Sequence, residues 1–557
     1  MQISHVQAGA VAALASRAVA QSTSALPLYN QTLTTAYGEI QGVPALNESC
    51  CSYIDGWDKV TVWRGIPFAA DAGGANRFKA PQPYAGWNDT GLYVASEFKS
   101  GCPVGTEPFG TPDPTVDEDC LNLNIWSAQT NTSTKLPVMV WSYPAGGTNS
   151  WAMFDGSGMA LQDVIVVTYN YRAGPYGWAA SPELFVESGN TTTGNYGALD
   201  QMAAFQWVQD NIASFGGDPE RVTAVGQSAG SAATYHLLNS PLAKGLIQGA
   251  IIESGVRDPR DPSASGVAEG YNNMTYSIEL FEEFMSLCNV SSLEELRMNV
   301  SAATINEVSG FTNFANFRGT LDGYVFPVTY FERLALGPIN DVPVMTGNTK
   351  DEDGAAPCTS SDDSTWNSTL LSTYGEFGEQ FVEAYPVTND EEACKQNNML
   401  IRDAALVGTW NWQRLWFQNA TSPVYTYFWD HAPPNQTKGA FHMSEITYIF
   451  NNLYNQLYPW EDVDYTIAST VNAYWANFIK TGNPNTGGSN TNGTFDVLPE
   501  WTPQNTSVAA TFHLGPSNAT NNGSFAVGYE QIPVADVAGT KVELITSFWN
   551  TRNDSAI

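Results

Sequence analysis

The chain has 557 residues, of which 43% are hydrophobic and 12% aromatic, so it is long and apolar enough to bury a large core. Its formal net charge of −33, from 23 basic and 56 acidic side chains, argues against binding to nucleic acid or to an anionic membrane, because both need clustered lysine and arginine. After the N-terminus, no run of about 18 or more apolar residues predicts a membrane-spanning helix.

Residues 1–20 are expected to form a secretory signal peptide, because a short run of small apolar residues is followed by "AVA", a typical cleavage site, ending at Ala20. We expect residues 21–557 to form one domain of a secreted, extracellular protein. N-linked glycans are expected on some of the sixteen Asn-x-Ser/Thr sequons, which lie at Asn30, Asn47, Asn88, Asn131, Asn190, Asn273, Asn289, Asn299, Asn367, Asn419, Asn435, Asn492, Asn505, Asn518, Asn522 and Asn553.

Seven cysteines are present and none forms a C-x-x-C pair, so their spacing does not indicate a metal site. In a secreted chain they are expected to form disulfides, with one cysteine left over. Although the sequence does not fix the pairing, we predict Cys102 with Cys120, which would enclose a Pro/Gly-rich loop, and Cys358 with Cys394.

Apolar runs in the first half of the chain alternate with a helical pattern. "KLPVMVWSYPAGG" (135–147) is typical of a buried strand ending in a glycine-containing loop, and "VIVVTYNYR" (164–172) is a second such run. "LDQMAAFQWVQDNIASFGG" (199–217) has apolar residues at helical spacing and stops at two glycines. Alternating strands and helices predict a parallel sheet.

The second half continues this alternation. "GAIIESG" (249–255), "VPVMTG" (342–347) and "PVYTYFW" (423–429) are further strand patterns, whereas residues 260–340 are less regular and are expected to form a large helical insertion over the sheet edge. The sequence therefore predicts an α/β fold with a central, mostly parallel, twisted sheet and helices on both faces.

The segment "RVTAVGQSAGSAATYHLL" (221–238) frames one serine between two glycines. A strand pattern precedes Ser228 and a helix pattern follows it, and Gly226 and Gly230 leave room for a very tight turn between them. Such a turn presents the serine hydroxyl alone above the sheet, at the N-terminal end of the helix. This context, more than the G-x-S-x-G motif itself, predicts Ser228 as a nucleophile.

A serine hydroxyl needs a general base within hydrogen-bonding reach at neutral pH. His5 belongs to the expected signal peptide, and His236 would lie about 12 Å along the helix from Ser228, at 1.5 Å per residue. In folds built around this turn, an acid and then a histidine follow the serine along the chain. The residues alone do not choose among the later histidines, which are His431, His442 and His513.

Several segments, in order, resemble the type-B carboxylesterase/lipase family, which includes cholinesterases and several fungal lipases. Residues 60–69 and 77–87 resemble its N-terminal stretch, and "EDCLNLNIW" (118–126) is close to its second signature. Residues 194–230 are close to its first signature, with Gln227 where glutamate is commoner. Later landmarks are matched by "AIIESG", "TGNTKDEDG", "GAFHMSE" and "YWANFIKTGNPN".

The resemblance implies a secreted fungal member with an α/β-hydrolase fold and a catalytic triad of Ser228, Glu352 and His442. Glu352 lies in "NTKDEDG", which resembles the family's D-E-G with one added residue, so Asp353 is the alternative acid. It also implies that Cys120 is disulfide-bonded, because the family's second signature contains a bonded cysteine.

The family's oxyanion hole corresponds to the loop "VMVWSYPAGGTN", where a glycine triplet is usual. The implied donors are the backbone N–H groups of Gly146 and Gly147, or of Ala145 and Gly146 if the register moves by one. Ala229, directly after the nucleophile, supplies a further N–H. Pro144 has no N–H and cannot donate.

These residues predict a carboxylic ester hydrolase that forms an acyl-enzyme on Ser228, with His442 as general base and ionised Glu352 holding the imidazole. This chemistry needs no metal or organic cofactor. The expected partner is a small-molecule or lipid ester, and activity should fall below about pH 6.5 as His442 becomes protonated.

Two alternatives stay open. A lipase acting at an oil–water interface would need a mobile lid, expected within residues 102–118, although that segment is short and only mildly apolar. A catalytically silent, cholinesterase-like binding or adhesion protein would lack triad members, and all three are present here. The sequence does not determine the acyl length, the alcohol group or the oligomeric state.

Overall fold

The computed structural model describes residues 26–89, 91–103, 115–261, 270–309, 316–355, 363–491, 495–504, 509–515 and 528–552. Its strands are β1 Leu33–Thr35, β2 Gly38–Gln41, β3 Val43–Pro44, β4 Thr61–Pro67, β5 Tyr93–Val94, β6 Asn122–Ser127, β7 Leu136–Ser142, β8 Ile165–Tyr169, β9 Gly217–Gln227, β10 Gly249–Glu253, β11 Val344–Thr349, β12 Val424–Trp429, β13 Ala510–Leu514 and β14 Gln531–Pro533.

Its helices are α1 Glu48–Cys51, α2 Ser157–Ala160, α3 Gly174–Trp178, α4 Pro182–Glu187, α5 Tyr196–Asn211, α6 Ala229–Asn239, α7 Met274–Leu287, α8 Leu293–Asn299, α9 Ala302–Ser309, α10 Tyr330–Leu336, α11 Asp363–Tyr374, α12 Gly378–Ala384, α13 Asp390–Trp416, α14 Ile446–Ile449, α15 Asp462–Thr481, α16 Val534–Ala538 and α17 Lys541–Asn550. Within the described ranges, no helix is long and apolar enough to cross a membrane.

The main sheet confirms the predicted, mostly parallel arrangement. In the described part of the chain it has eleven strands, in the order β14-β13-β12-β11-β10-β9-β7-β8-β6-β4-β3. The seven strands from β13 to β8 in this order are parallel, and antiparallel strands flank them on both sides. Every residue of β8, β10, β11 and β12 is buried, as expected for parallel strands covered on both faces.

Helices α6 and α15 cover opposite faces of the sheet at its centre. A side chain added at Gly226 of β9 would meet α6 at Gly230 and Thr234, whereas one added at Gly249 of β10 would approach Phe478 of α15. Gly249 pairs with Thr223, which is three residues from Gly226 and therefore points to the other face. These two helices form the layers between which the central strands are buried.

The helical pattern predicted for 199–217 is observed as α5 followed by a 3-10 turn, Ile212–Phe215. Gly216 ends it with a φ of 86°, a left-handed conformation that glycine adopts without strain. The irregular segment 260–340 contains α7 to α10 in its described part, which confirms its helical character.

The disulfide between Cys102 and Cys120 is present, with Cα atoms 4.9 Å apart, as predicted. A second bond joins the adjacent Cys50 and Cys51, which the sequence analysis did not pair. Cys394 is disulfide-bonded, but its predicted partner Cys358 lies outside the described residues. Cys288 is buried as a free thiol.

Several sequence predictions fall wholly or partly outside the described residues. These are the expected signal peptide at 1–20, most of the expected lid segment, at 104–114, and the sequons at Asn492, Asn505, Asn518, Asn522 and Asn553.

Candidate active site

Ser228 lies in a strained turn between β9 and α6. Its backbone has φ 57° and ψ −118°, values that a residue with a side chain adopts only when the surrounding structure enforces them. A Cβ at Gly226 would collide with the carbonyl of Gly230, and a Cβ at Gly230 would collide with the carbonyl of Ser142. Both glycines are therefore required by the close approach of backbone, as the sequence predicted.

The carboxyl edge of the parallel strands brings the predicted site residues together. Ser228 follows β9, and its N–H donates to the carbonyl of Glu253, the last residue of β10, over 3.0 Å. Glu352 follows β11, and His442 lies in the long connection after β12. Because the carboxyl ends of parallel strands meet at one edge of a sheet, this is where such a fold places its site.

Glu352 and His442 form a short, partly buried ion pair. His442 Nδ1 donates to Glu352 Oε2 over 2.5 Å, and the N–H of Thr349 donates to Glu352 Oε1 over 3.0 Å. Asp353, the alternative acid, is exposed and makes no bond to His442 among the described contacts. The structure thus places Glu352, rather than Asp353, against the imidazole.

The pairing shifts the pKa values of both groups. Burial alone would raise the pKa of Glu352, but the charge and the hydrogen bond of His442 outweigh it, and the pKa lies below the usual 4.5. Burial alone would lower the pKa of His442, but the charge and the hydrogen bond of Glu352 raise it above 6.5. The carboxylate is therefore ionised, and it stabilises the imidazolium form.

Asp351 holds the Glu352 loop against the His442 loop, a role that the sequence analysis missed. The Asp351 N–H donates to the Ala440 carbonyl over 3.0 Å, and the Ala440 N–H donates back to Asp351 Oδ2 over 2.9 Å. Asn398 of α13 donates to the other carboxylate oxygen over 2.7 Å. The only sequence signal was the position of Asp351, directly before the predicted acid.

The hydroxyl of Ser228 makes no hydrogen bond to His442 within the described part of the structure. Instead, the side-chain amide nitrogen of Gln227 lies 3.2 Å from Nε2 and 3.4 Å from Nδ1 of the imidazole. The amide nitrogen of Gln227 is therefore close to both ring nitrogens of His442. In unliganded enzymes, a base and its nucleophile are often further apart than in the complex with substrate.

The loop after β7 provides backbone donors near Ser228. The N–H of Gly147 donates to the carbonyl of Pro144 over 3.0 Å and so closes a turn, with Gly146 at φ 75° inside it. Among the described contacts, the N–H groups of Ala145, Gly146 and Ala229 have no backbone acceptor. This geometry favours the second register of the loop, Ala145 with Gly146, over the first.

The other histidines either contact other side chains or lie outside the described residues. His236 is buried beside Gln201, 3.0 Å from its side-chain oxygen, and burial lowers its pKa to about 3. His431 lies 2.7 Å from Asp464, and His513 lies 2.9 Å from Asp430. His5 is outside the described residues. No three His, Cys, Asp or Glu side chains of the described ranges could together hold a metal ion.

Comparison with known proteins supports one family. A family model described as the carboxylesterase family matches residues 30–527. The chain is 32% identical to fumonisin B1 esterase of Sphingopyxis macrogoltabida, with 77% of this chain and 80% of that protein covered. It is also 32% identical to para-nitrobenzyl esterase of Bacillus subtilis (strain 168), with 82% and 91% covered.

Solved structures agree with this result. A PNB esterase superposes with a TM-score of 0.68 at 29% identity, over 87% of this chain and 96% of that one. A thermophilic PNB esterase gives a TM-score of 0.69 at 28% identity, over 87% and 96%. The protein belongs to the carboxylesterase family, has its α/β-hydrolase fold, and is a carboxylic ester hydrolase.

Proposed function

We propose that this protein is a secreted serine esterase that hydrolyses small-molecule carboxylic esters through an acyl-enzyme on Ser228. The observation that carries the proposal is the short bond between His442 and Glu352 at the same sheet edge as the strained turn of Ser228. A strained nucleophile, an imidazole and an ionised carboxylate near one another are the parts that acyl transfer needs.

In the proposed reaction, the Ser228 hydroxyl attacks the ester carbonyl while His442 Nε2 accepts its proton. Glu352 stays ionised and stabilises the imidazolium. The imidazolium then protonates the departing alcohol, which leaves the acyl group on Ser228. Water attacks this acyl-enzyme with His442 again as base, and the carboxylic acid is released.

The negative oxygen that develops on the carbonyl carbon needs preorganised donors. We assign this role to the N–H of Ala229, at the start of α6, and to the N–H groups of Ala145 and Gly146. One such donor is worth about 2.7–4 kcal/mol of transition-state stabilisation. Gly147, the other sequence candidate, would first have to release the carbonyl of Pro144.

Export and glycosylation are part of the proposal. Every sequon asparagine in the described ranges is exposed, which oligosaccharide transfer requires. Secretion is supported by the apolar segment at residues 1–20 and by disulfides such as Cys102–Cys120, which persist in oxidising compartments. For a eukaryotic host we expect protein in the medium whose mass falls on treatment with an N-glycosidase. Unchanged mass would refute glycosylation.

The substrate class, small-molecule carboxylic esters, is proposed from the relatives, two of which are named fumonisin B1 esterase and para-nitrobenzyl esterase. A series of 4-nitrophenyl esters from acetate to palmitate tests this class. We expect kcat/KM to be highest for short acyl chains in solution. A maximum for palmitate that appears only above its solubility limit would identify an interfacial lipase instead.

The catalytic assignment is tested with a fluorophosphonate probe, which reacts with activated serines, and by mass spectrometry of the labelled peptide. We expect labelling of residue 228 in the wild type, and a fall in kcat of about 10⁴-fold or more in Ser228→Ala. Ser368→Ala, on the exposed face of α11, is the matched control and should keep full activity. A Ser228→Ala variant that retains wild-type turnover would refute the proposal.

A further inference from the structure

A large pocket includes the edge of the sheet opposite to the one that carries Ser228. Its volume of about 790 Å³ lies within the range of about 300–1,000 Å³ that is usual for small-molecule sites. Its lining includes Ala128, which directly follows β6, and Asp163, which lies two residues before β8. Because β6 runs antiparallel to β8, both residues mark the edge at which the parallel strands begin. The pocket is therefore separate from the catalytic centre.

Two exposed tyrosines contribute aromatic rings to this pocket. Tyr53 is 61% exposed and Tyr465 of α15 is 42% exposed, and their rings pack edge to face with centroids 6.5 Å apart. The Ile54 N–H donates to the Cys51 carbonyl over 2.9 Å, and Cys51 is also bonded to Cys50, so the segment that carries Tyr53 is held in place. The apolar face of a ligand can stack on rings presented in this way.

Four polar side chains of the lining make no hydrogen bond or ion pair to any described residue. They are Asp55, Lys59, Asp163 and Asn451. Together they offer carboxylate and amide oxygens as acceptors, and ammonium and amide groups as donors. Their charges nearly cancel, since two are negative and one is positive. This set suits a neutral ligand whose groups both donate and accept hydrogen bonds, as hydroxyls do.

Other lining side chains already have partners that fix the shape of the pocket. Gln162 is buried, and its amide nitrogen donates to the Asn490 carbonyl over 2.8 Å while its oxygen accepts from the Asn490 N–H over 2.8 Å. The Tyr454 hydroxyl donates to Asp155 Oδ1 over 2.9 Å. These bonds form without a ligand, and a preformed site loses less conformational entropy when a ligand binds.

We propose that this pocket binds a neutral mono- or disaccharide in its pyranose form. A pyranose ring has a face of C–H bonds, which stacks on Tyr53 or Tyr465. Its edge carries hydroxyls, which donate to the two carboxylates and accept from Lys59. The sugar site is additional to the ester hydrolase centre, and the inference does not rest on the proposed function.

Saturation-transfer NMR on the full-length protein tests the proposal. The probes are cellobiose and the methyl glycosides of glucose, mannose, galactose, xylose and N-acetylglucosamine. We expect saturation to pass to the C–H protons of at least one of these sugars. Tyr53→Ala and Tyr465→Ala should each weaken its affinity, measured by calorimetry, by about fivefold. Transfer to none of the sugars, or an unchanged affinity in both variants, would overturn the proposal.

The matched control is Tyr324→Ala, which removes a tyrosine of the same 42% exposure outside the pocket and should bind sugar like the wild type. Thermal unfolding establishes that each variant is folded. Protein labelled at Ser228 with a fluorophosphonate should still bind the sugar, and loss of binding would place the sugar in the catalytic cleft and overturn the proposal. If Ser228 were not labelled at all, the proposed function would fail, while the tyrosine variants would still decide the sugar site.

Choline is the probe for the alternative ligand, an organic cation bound by the rings and the carboxylates. We expect no saturation transfer to choline, because the positive charge of Lys59 in the same lining opposes a cation. Transfer to choline and to none of the sugars would overturn the proposal in favour of a cation site.

Discussion

Replacing Glu352 by glutamine tests how much the buried carboxylate contributes to catalysis. The substitution keeps the side-chain volume but removes the negative charge that His442 contacts over 2.5 Å. Unit charges about 4 Å apart interact by about 4 kcal/mol at an effective dielectric constant of about 20. Since 1.36 kcal/mol corresponds to a tenfold change in rate, we expect kcat/KM to fall about 10³-fold.

The assay is hydrolysis of 4-nitrophenyl acetate between pH 5 and 9, with the protein concentration measured by absorbance and the folding of each variant established by thermal unfolding. Because Glu352 raises the pKa of His442, its removal should also move the acid limb to lower pH. The matched control is Asp353→Asn, at the neighbouring exposed position, which should stay within twofold of the wild type. A loss below tenfold in Glu352→Gln, or an equal loss in Asp353→Asn, would refute the assignment of the acid.

Three further outcomes are expected. The acid limb of wild-type kcat/KM should have its midpoint above 6.5, because the base must be neutral and Glu352 raises the pKa of His442; a midpoint below 6 would contradict this. Gly230→Ala should lower the free energy of unfolding by about 1–3 kcal/mol in urea titrations, since its Cβ would collide with the Ser142 carbonyl. Unchanged stability would be inconsistent with this close approach at the Ser228 turn. Asp200→Asn should lower the free energy of unfolding by about 3–5 kcal/mol in the same measurement, because it leaves Arg172 charged and buried. A loss below 1 kcal/mol would argue against a buried ion pair.

The turn at Ser228 was predictable because its determinants are local. A strand pattern, two glycines and a helix pattern lie within one segment, and the positions at which a side chain would collide, Gly226 and Gly230, are those where the sequence has none. The parallel sheet was predictable for a similar reason, since continuous apolar runs such as 164–172 are stable only when both faces are covered.

The histidines show where local pattern is insufficient. His431, His442 and His513 each lie against a carboxylate at 2.5–2.9 Å, so a histidine near an acid is not distinctive even in three dimensions. His442 differs because its acid follows β11 and its loop is tied to that strand end through Asp351. From sequence, only the family resemblance separated it from the others.

Neither the register of the oxyanion loop nor the burial of Glu253 and Glu445 could be predicted from the sequence, because both depend on tertiary contacts. "PAGG" offers two registers, and only the turn that Gly147 closes onto Pro144 distinguishes them. Glu253 and Glu445 are far apart along the chain, and nothing in their local sequence indicates that both side chains are buried.

The sequence by itself determined the central strands of the sheet, several helices and the tight turn at Ser228, because these depend on neighbours a few residues away. Only the tertiary structure decided which acid contacts His442, 90 residues along the chain, and which backbone N–H groups remain available. The physical reason is that hydrogen bonds and charge interactions act over a few ångströms in space, whatever the separation along the chain.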